Sequence, residues 1–170
     1  MKRLILMRHA KSDWSQGGLT DYERPLNKRG THDANMMGKW LAHHAEAPEL
    51  ILCSSARRTR QTMQLLLLGM QTSEVETHEI EQHTMEAMYL APASRLVDLV
   101  HSHLNSHESM MLIAHNPGMD GIVSHYCADA PLTNSGKLMT TANIAIIEFD
   151  DLLNPTLIAL QRPRDTELEH

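Results

Sequence analysis

The chain has 170 residues, the size of one domain, and a net charge of −6 with no basic block. That balance argues against nucleic acid or an anionic membrane surface as its main partner. It is 42% hydrophobic but only 4% aromatic, so Leu, Ile and 12 Met residues must fill the core.

RLILM (3–7) opens the chain as a buried strand, with Arg8 and His9 directly after it. THDANMMGKWLAHHAE (31–46) predicts a helix with Ala34, Met37, Trp40 and Leu41 near one face. ELILC (49–53) is the next strand. Ser54, Ser55, Arg57 and Arg58 then open a helix over 56–70, with Gly69 near its end. VETHEI (75–80) reads as a weaker strand near an edge. SRLVDLVHSHL (94–104) is a helix with Leu96, Val97, Leu99, Val100 and Leu104 to bury. MMLIA (110–114) runs into His115, Asn116, Pro117 and Gly118, where a fourth helix starts over 118–127. NIAIIEF (143–149) and TLIALQ (156–161) flank a short Asp/Asn/Pro loop, which makes them a hairpin. Continuous apolar runs alternating with helical patterns imply strands covered on both faces. The expected fold is therefore α/β: three α/β/α layers around a mostly parallel sheet of about six strands with one antiparallel strand.

One domain is expected over residues 1–167, and Leu168-Glu169-His170 reads as the remnant of an expression tag. No stretch approaches the roughly 20 apolar residues of a membrane span, and LILM is too short for a secretory signal core. Cys53 and Cys127 share no metal-type spacing and read as buried free thiols, which suggests a reducing cytoplasm. His101, His103 and His107 lack the Glu of an H-E-x-x-H pattern and read as surface residues, as do His43 and His44.

In open α/β sheets, ligands bind beyond the carboxyl ends of the strands. Three strands deliver Arg8-His9, Arg57-Arg58 and His115 to that one edge. Planar guanidinium forks suit phosphate oxygens, and the helix opening near Ala56 adds free N–H groups. Two histidines suggest that phosphate is transferred as well as held. One neutral imidazole can attack phosphorus while the other donates hydrogen bonds to the moving group. No acidic cluster fit for Mg²⁺ stands at these strand ends, so neither a metal nor another cofactor is expected.

These residues carry a resemblance. LMRHAKS resembles the Arg-His signature of the histidine phosphatase superfamily, whose fold is phosphoglycerate mutase-like. SSARRTRQT is similar to the family's second motif and selects Ser54, Arg58 and Thr62, with Arg58 favoured over Arg57 by the Thr spacing. IAHNPG resembles the motif of the second histidine. The stretch RHAKSDW…ERPLNKRG…DA…MG is similar to the small SixA-type phosphohistidine phosphatases, and the likeness spans residues 2–161. The resemblance implies His9 as phosphate acceptor, with Arg8, Arg58 and His115 completing the pocket and Arg24 facing it. Ala10 stands where the family often has Gly. Ser12 and Asn116 are further candidates for phosphate contact, although loop structure accounts equally well for them and for Lys11. The proton donor would be Glu86 or Glu81, neither in a clear motif.

That weak acid motif points toward phosphohistidine as substrate. An alkoxide needs a strong proton donor, whereas a phosphoramidate can expel neutral imidazole. The expected activity is metal-independent removal of phosphate from phosphohistidine on a partner protein, for example a phosphotransfer domain, with inorganic phosphate as product. The alternatives are a phosphomonoesterase for a small phosphorylated substrate and a non-catalytic module that binds phosphorylated ligands.

Overall fold

β1 (Lys2–Arg8) lies in the middle of the sheet and is sealed on both faces. Its alternation splits the interior in two. Ile5 and Met7 join one apolar cluster, Leu4 and Leu6 the other. β2 (Leu50–Ser54) and β4 (Ser109–Ala114) divide in the same way. This is why their sequences read as unbroken apolar runs. The structure, a computed structural model, describes residues 1–166. The tripeptide Leu168-Glu169-His170 lies outside the described residues.

With β3 (Glu81–Met85), β5 (Ile144–Phe149) and β6 (Pro155–Gln161), six strands form one sheet in the order β3-β2-β4-β1-β5-β6. The first four run parallel. β5 runs antiparallel to both β1 and its hairpin partner β6, so one strand is reversed, as expected. α1 (Lys28–His44) and α2 (Arg57–Gln71) cover one face. α3 (Ala93–Leu104) and α4 (Gly118–Tyr126) cover the other. A four-residue helix, α5 (Pro163–Thr166), follows β6. Among the described residues no helix is long and apolar enough to cross a membrane.

Three local expectations change. The weak strand placed at 75–80 is instead β3 (Glu81–Met85), paired with all of β2. β3 is an edge strand with mostly exposed side chains, so EQHTM carries no apolar period. The apolar spacing in VETHEI comes from a turn that buries Thr77 and Ile80. α1 starts three residues earlier than expected because the Asn27 side chain caps it, accepting from the Gly30 N–H at 2.8 Å. Cys53 is buried as expected, but Cys127 follows the end of α4 and is only half-buried.

Gly38 and Gly69 set the spacing of the first helical layer. A Cβ on Gly38 would lie 2.1 Å from the Leu66 carbonyl oxygen, and one on Gly69 would lie 2.1 Å from that of Asn35. Both residues thus let the α1 and α2 backbones touch. Gly69 serves packing and ends nothing, since α2 continues to Gln71. The close approach sets the position of α2, which carries Arg57 and Arg58 in its first turn, against α1.

Candidate active site

β1 delivers Arg8 and, one residue later, His9. The His9 Nδ1 lies 2.7 Å from the Ala10 carbonyl oxygen, which can only accept. Nδ1 therefore carries the ring proton and Nε2 is left as a bare lone pair. Burial first, then the Arg58, Arg8 and Arg24 guanidinium groups, push the ring down to about 4, against the upward pull of the Ala10 carbonyl. At neutral pH His9 is an uncharged base, the state a nucleophile needs. The turn is stapled to α2: the Ala10 N–H donates to Thr62 Oγ1 at 3.0 Å, and that hydroxyl donates to the Arg58 carbonyl at 2.7 Å.

α2 presents two arginines in its first turn, and they diverge. Arg57 is exposed while Arg58 turns inward and is only 2% exposed. Arg58 Nη2 donates to His115 Nδ1 at 3.3 Å. The Nε2–H of His115 then points to Ser54 Oγ, 2.7 Å away. Burial, followed by His9 and Arg58, lowers His115 to about 3. The two imidazole rings lie 5.2 Å apart, centroid to centroid. Arg8 donates through Nη1 to the Met139 carbonyl at 3.1 Å. The Nε of Arg8 and the Nε of Arg58 are both buried without a partner. Two orphaned cationic N–H groups beside two neutral imidazoles call for a multidentate acceptor, and an oxyanion is one.

Sequence reasoning missed the residue that ties this cluster together. Asp21, in a short 3₁₀ turn (Asp21–Glu23), accepts from Arg24 Nη2 at 2.7 Å, Arg24 Nε at 3.2 Å and Arg58 Nη2 at 3.0 Å. Its backbone carbonyl takes Arg58 Nη1 at 2.6 Å, and the Tyr89 hydroxyl donates to its carboxylate at 2.5 Å. Burial alone would raise the Asp21 carboxyl, but the bonds from Tyr89, Arg24 and Arg58 hold it well below the usual carboxylate range. The legible signal was an acid three residues before Arg24 in DYER, the spacing of one helical turn. Nothing in the sequence pointed to Tyr89, which arrives from the turn after β3.

The remaining candidates separate cleanly. Arg24 reaches the site, held by Asp21, by Ser12 Oγ at 3.0 Å and by the Trp14 ring, whose centroid lies 3.3 Å from the guanidinium carbon. Ser12 is buried behind that bond. Asn116 spends its amide on structure: it donates to the Met139 carbonyl at 3.1 Å and accepts the Asp120 N–H at 3.1 Å. Glu86 follows β3 at the carboxyl edge where the site lies. Glu81 does not reach it. It sits at the opposite end of β3, bonded to His83 and within 3.7 Å of His107. A groove of about 1030 Å³ opens over Arg8, His9 and Arg24. Arg58 and His115 are buried and do not line it.

The model of the histidine phosphatase superfamily (branch 1) matches residues 4–84. An uncharacterized chloroplastic protein of Arabidopsis thaliana is 31% identical over 171 residues, spanning 99% of this chain and 76% of the relative. A candidate phosphohistidine phosphatase SixA from Agrobacterium tumefaciens superposes with a TM-score of 0.78 at 26% identity, covering 95% of this chain and 98% of the other. The protein histidine phosphatase SixA complexed with tungstate superposes with a TM-score of 0.76 over 96% and 98% of the two chains. At 19% identity, that second likeness is one of fold.

Proposed function

This chain belongs to the histidine phosphatase superfamily, and on that premise we propose that it is a phosphatase working through phospho-His9, with phosphohistidine on a partner protein as its substrate. The observation that carries the reading is the state of His9: buried, neutral, and fixed by Ala10 with Nε2 bare. Nε2 attacks phosphorus in line. The bond to the substrate's ring nitrogen breaks, and its electron pair leaves with that imidazole, which departs neutral because its other ring nitrogen carries a proton. Arg8, Arg24 and Arg58 carry the charge spread over the three equatorial oxygens. As the His9 ring becomes cationic, its Nδ1–H bond to the Ala10 carbonyl strengthens. Water then attacks phospho-His9, the neutral ring leaves, and inorganic phosphate is released.

His115 plays a different part in the empty and the filled site. In the empty site it accepts from Arg58 and donates to Ser54, which orients the guanidinium. It donates to a phosphate oxygen only after taking a proton on Nδ1, and a bound dianion favours that step. Asp21 is too strong an acid to serve as proton donor. Glu86 is the carboxyl on the correct edge, and a phosphoramidate makes little demand on it.

The decisive experiment combines a trapping assay with a substrate panel. Radiolabelled phosphohistidine peptide should leave an acid-labile adduct on the wild-type chain and none on His9→Ala. Turnover should favour the peptide over a sugar phosphate panel. A wide preference for the esters would overturn the substrate assignment, and binding with no adduct and no turnover would overturn catalysis.

A further inference from the structure

The groove extends well beyond the phosphoryl pocket. Its volume of about 1030 Å³ is at the top of the range for drug-sized ligands and far exceeds what a phosphoryl group fills. Past Arg8 and Arg24 its walls carry Lys11, Lys137 and Arg164. None of these three lies within salt-bridge distance of an acid among the described residues. Asp33 and Asp165 also line the groove, and Asp33 is engaged by Arg29 at 3.3 Å. Cations thus outnumber acids here in a chain whose net charge is −6. Two large apolar side chains stand exposed in the same groove, Trp14 at 77% and Leu132 at 59%.

Exposed apolar anchors rimmed by charges that are mostly cationic suit a protein interface whose partner is acidic. A lone small phosphoramidate would leave both anchors uncovered. We propose that this groove docks an acidic face of the phosphorylated partner. The partner's phosphohistidine reaches His9, apolar side chains cover Trp14 and Leu132, and carboxylates flanking the phosphosite meet Lys11, Lys137 and Arg164. The inference rests on the phosphohistidine reading above and adds the chemistry of the partner that carries it.

Two phosphohistidine peptides of equal length test it, one flanked by Glu and Asp, the other by Gln and Asn, with phosphoimidazole as a substrate that has no flanks. The wild type should use the acidic peptide with about ten-fold higher kcat/KM at low salt, and the advantage should shrink as salt rises. The double variant K11E/K137E should abolish that advantage through KM while leaving phosphoimidazole turnover unchanged. Leu132→Asp should raise KM for both peptides and leave phosphoimidazole unaffected. Equal use of the two peptides by the wild type would overturn the inference and leave the phosphohistidine reading standing. So would a K11E/K137E loss equally large on phosphoimidazole. No turnover of any of the three substrates would overturn the reading itself.

Discussion

Asp21 shows how a site can depend on a residue that makes no contact with phosphorus. Its carboxylate is shared by Arg24, Arg58 and Tyr89, so it fixes where two of the three pocket guanidinium groups point. Asp21→Asn keeps one acceptor oxygen but places an amide N–H against either Arg58 and Tyr89 or Arg24. A lost hydrogen bond to a charged group costs about 1.5–3 kcal/mol, so kcat/KM should fall roughly ten- to hundred-fold. Tyr89→Phe removes a single donor and should cost less. Steady-state kinetics on a phosphohistidine peptide measures both, and an Asp21→Asn enzyme with unaltered kcat/KM would show that the arginines hold their aim without it. The same residues mark the limit of sequence reading. Arg8, His9 and His115 stood out because each comes at the end of a run of apolar residues that must be a buried strand, whereas only the family's Thr spacing separated Arg58 from Arg57. Asp21 opens a turn of three residues and Tyr89 directly follows another, where no period exists and geometry comes only from the neighbours.

The first helical layer holds the site together by backbone contact. Gly38 is buried against α2, and a Cβ there would meet the Leu66 carbonyl oxygen at 2.1 Å. Gly38→Ala gains up to about 1 kcal/mol of helix propensity. The clash is with backbone, which cannot rotate away as a side chain would, and overpacking of this kind costs about 1–3 kcal/mol. The clash should win, lowering the urea midpoint. It should also reduce kcat/KM, because α2 carries Arg58 in its first turn. Gly17 is the control: a Cβ added there has nothing within 4 Å, so Gly17→Ala should change stability by less than about 0.5 kcal/mol. A Gly38→Ala protein as stable as the wild type would mean that the helices slide apart freely. Among the elements, β1, β2, β4 and β5 were readable since burial on both faces forces apolar runs. β3 was misplaced because an edge strand with one neighbour and exposed faces needs no such run. The glycines were visible as letters, but their reason lies in a contact between residues about thirty positions apart, which no local pattern encodes.

At the scale of the whole molecule, the site is built at the expense of acid stability. His9 and His115 are held at about 4 and about 3, while an unfolded histidine titrates near 6.5. Between pH 6.5 and 4 the unfolded chain therefore binds more protons than the folded one, and stability must fall as pH falls through that window. Asp21 has the opposite kind of shift, since its folded carboxyl is held low. Its contribution is present above the unfolded carboxylate value and is lost only as pH drops below about 4, so it does not disguise the histidine effect. Each buried ring should remove about 2 kcal/mol by pH 5 relative to pH 7, at 1.36 kcal/mol per unit. Urea unfolding at a series of pH values measures the slope. The double variant H9N/H115N, which cannot titrate at either position, should show a much flatter dependence between pH 6.5 and 4.5 whatever its absolute stability. If the double variant and the wild type lose stability in parallel over that range, the two imidazoles are not buried as neutral bases, and the nucleophile assigned to His9 loses its physical basis. Inorganic phosphate bears on the same equilibrium. If it binds the folded chain through the proposed pocket, then at pH 5 a concentration well above its dissociation constant should raise the unfolding midpoint. The increment should largely disappear in Arg58→Ala, because the guanidinium group proposed to hold the oxyanion is also the one bonded to His115.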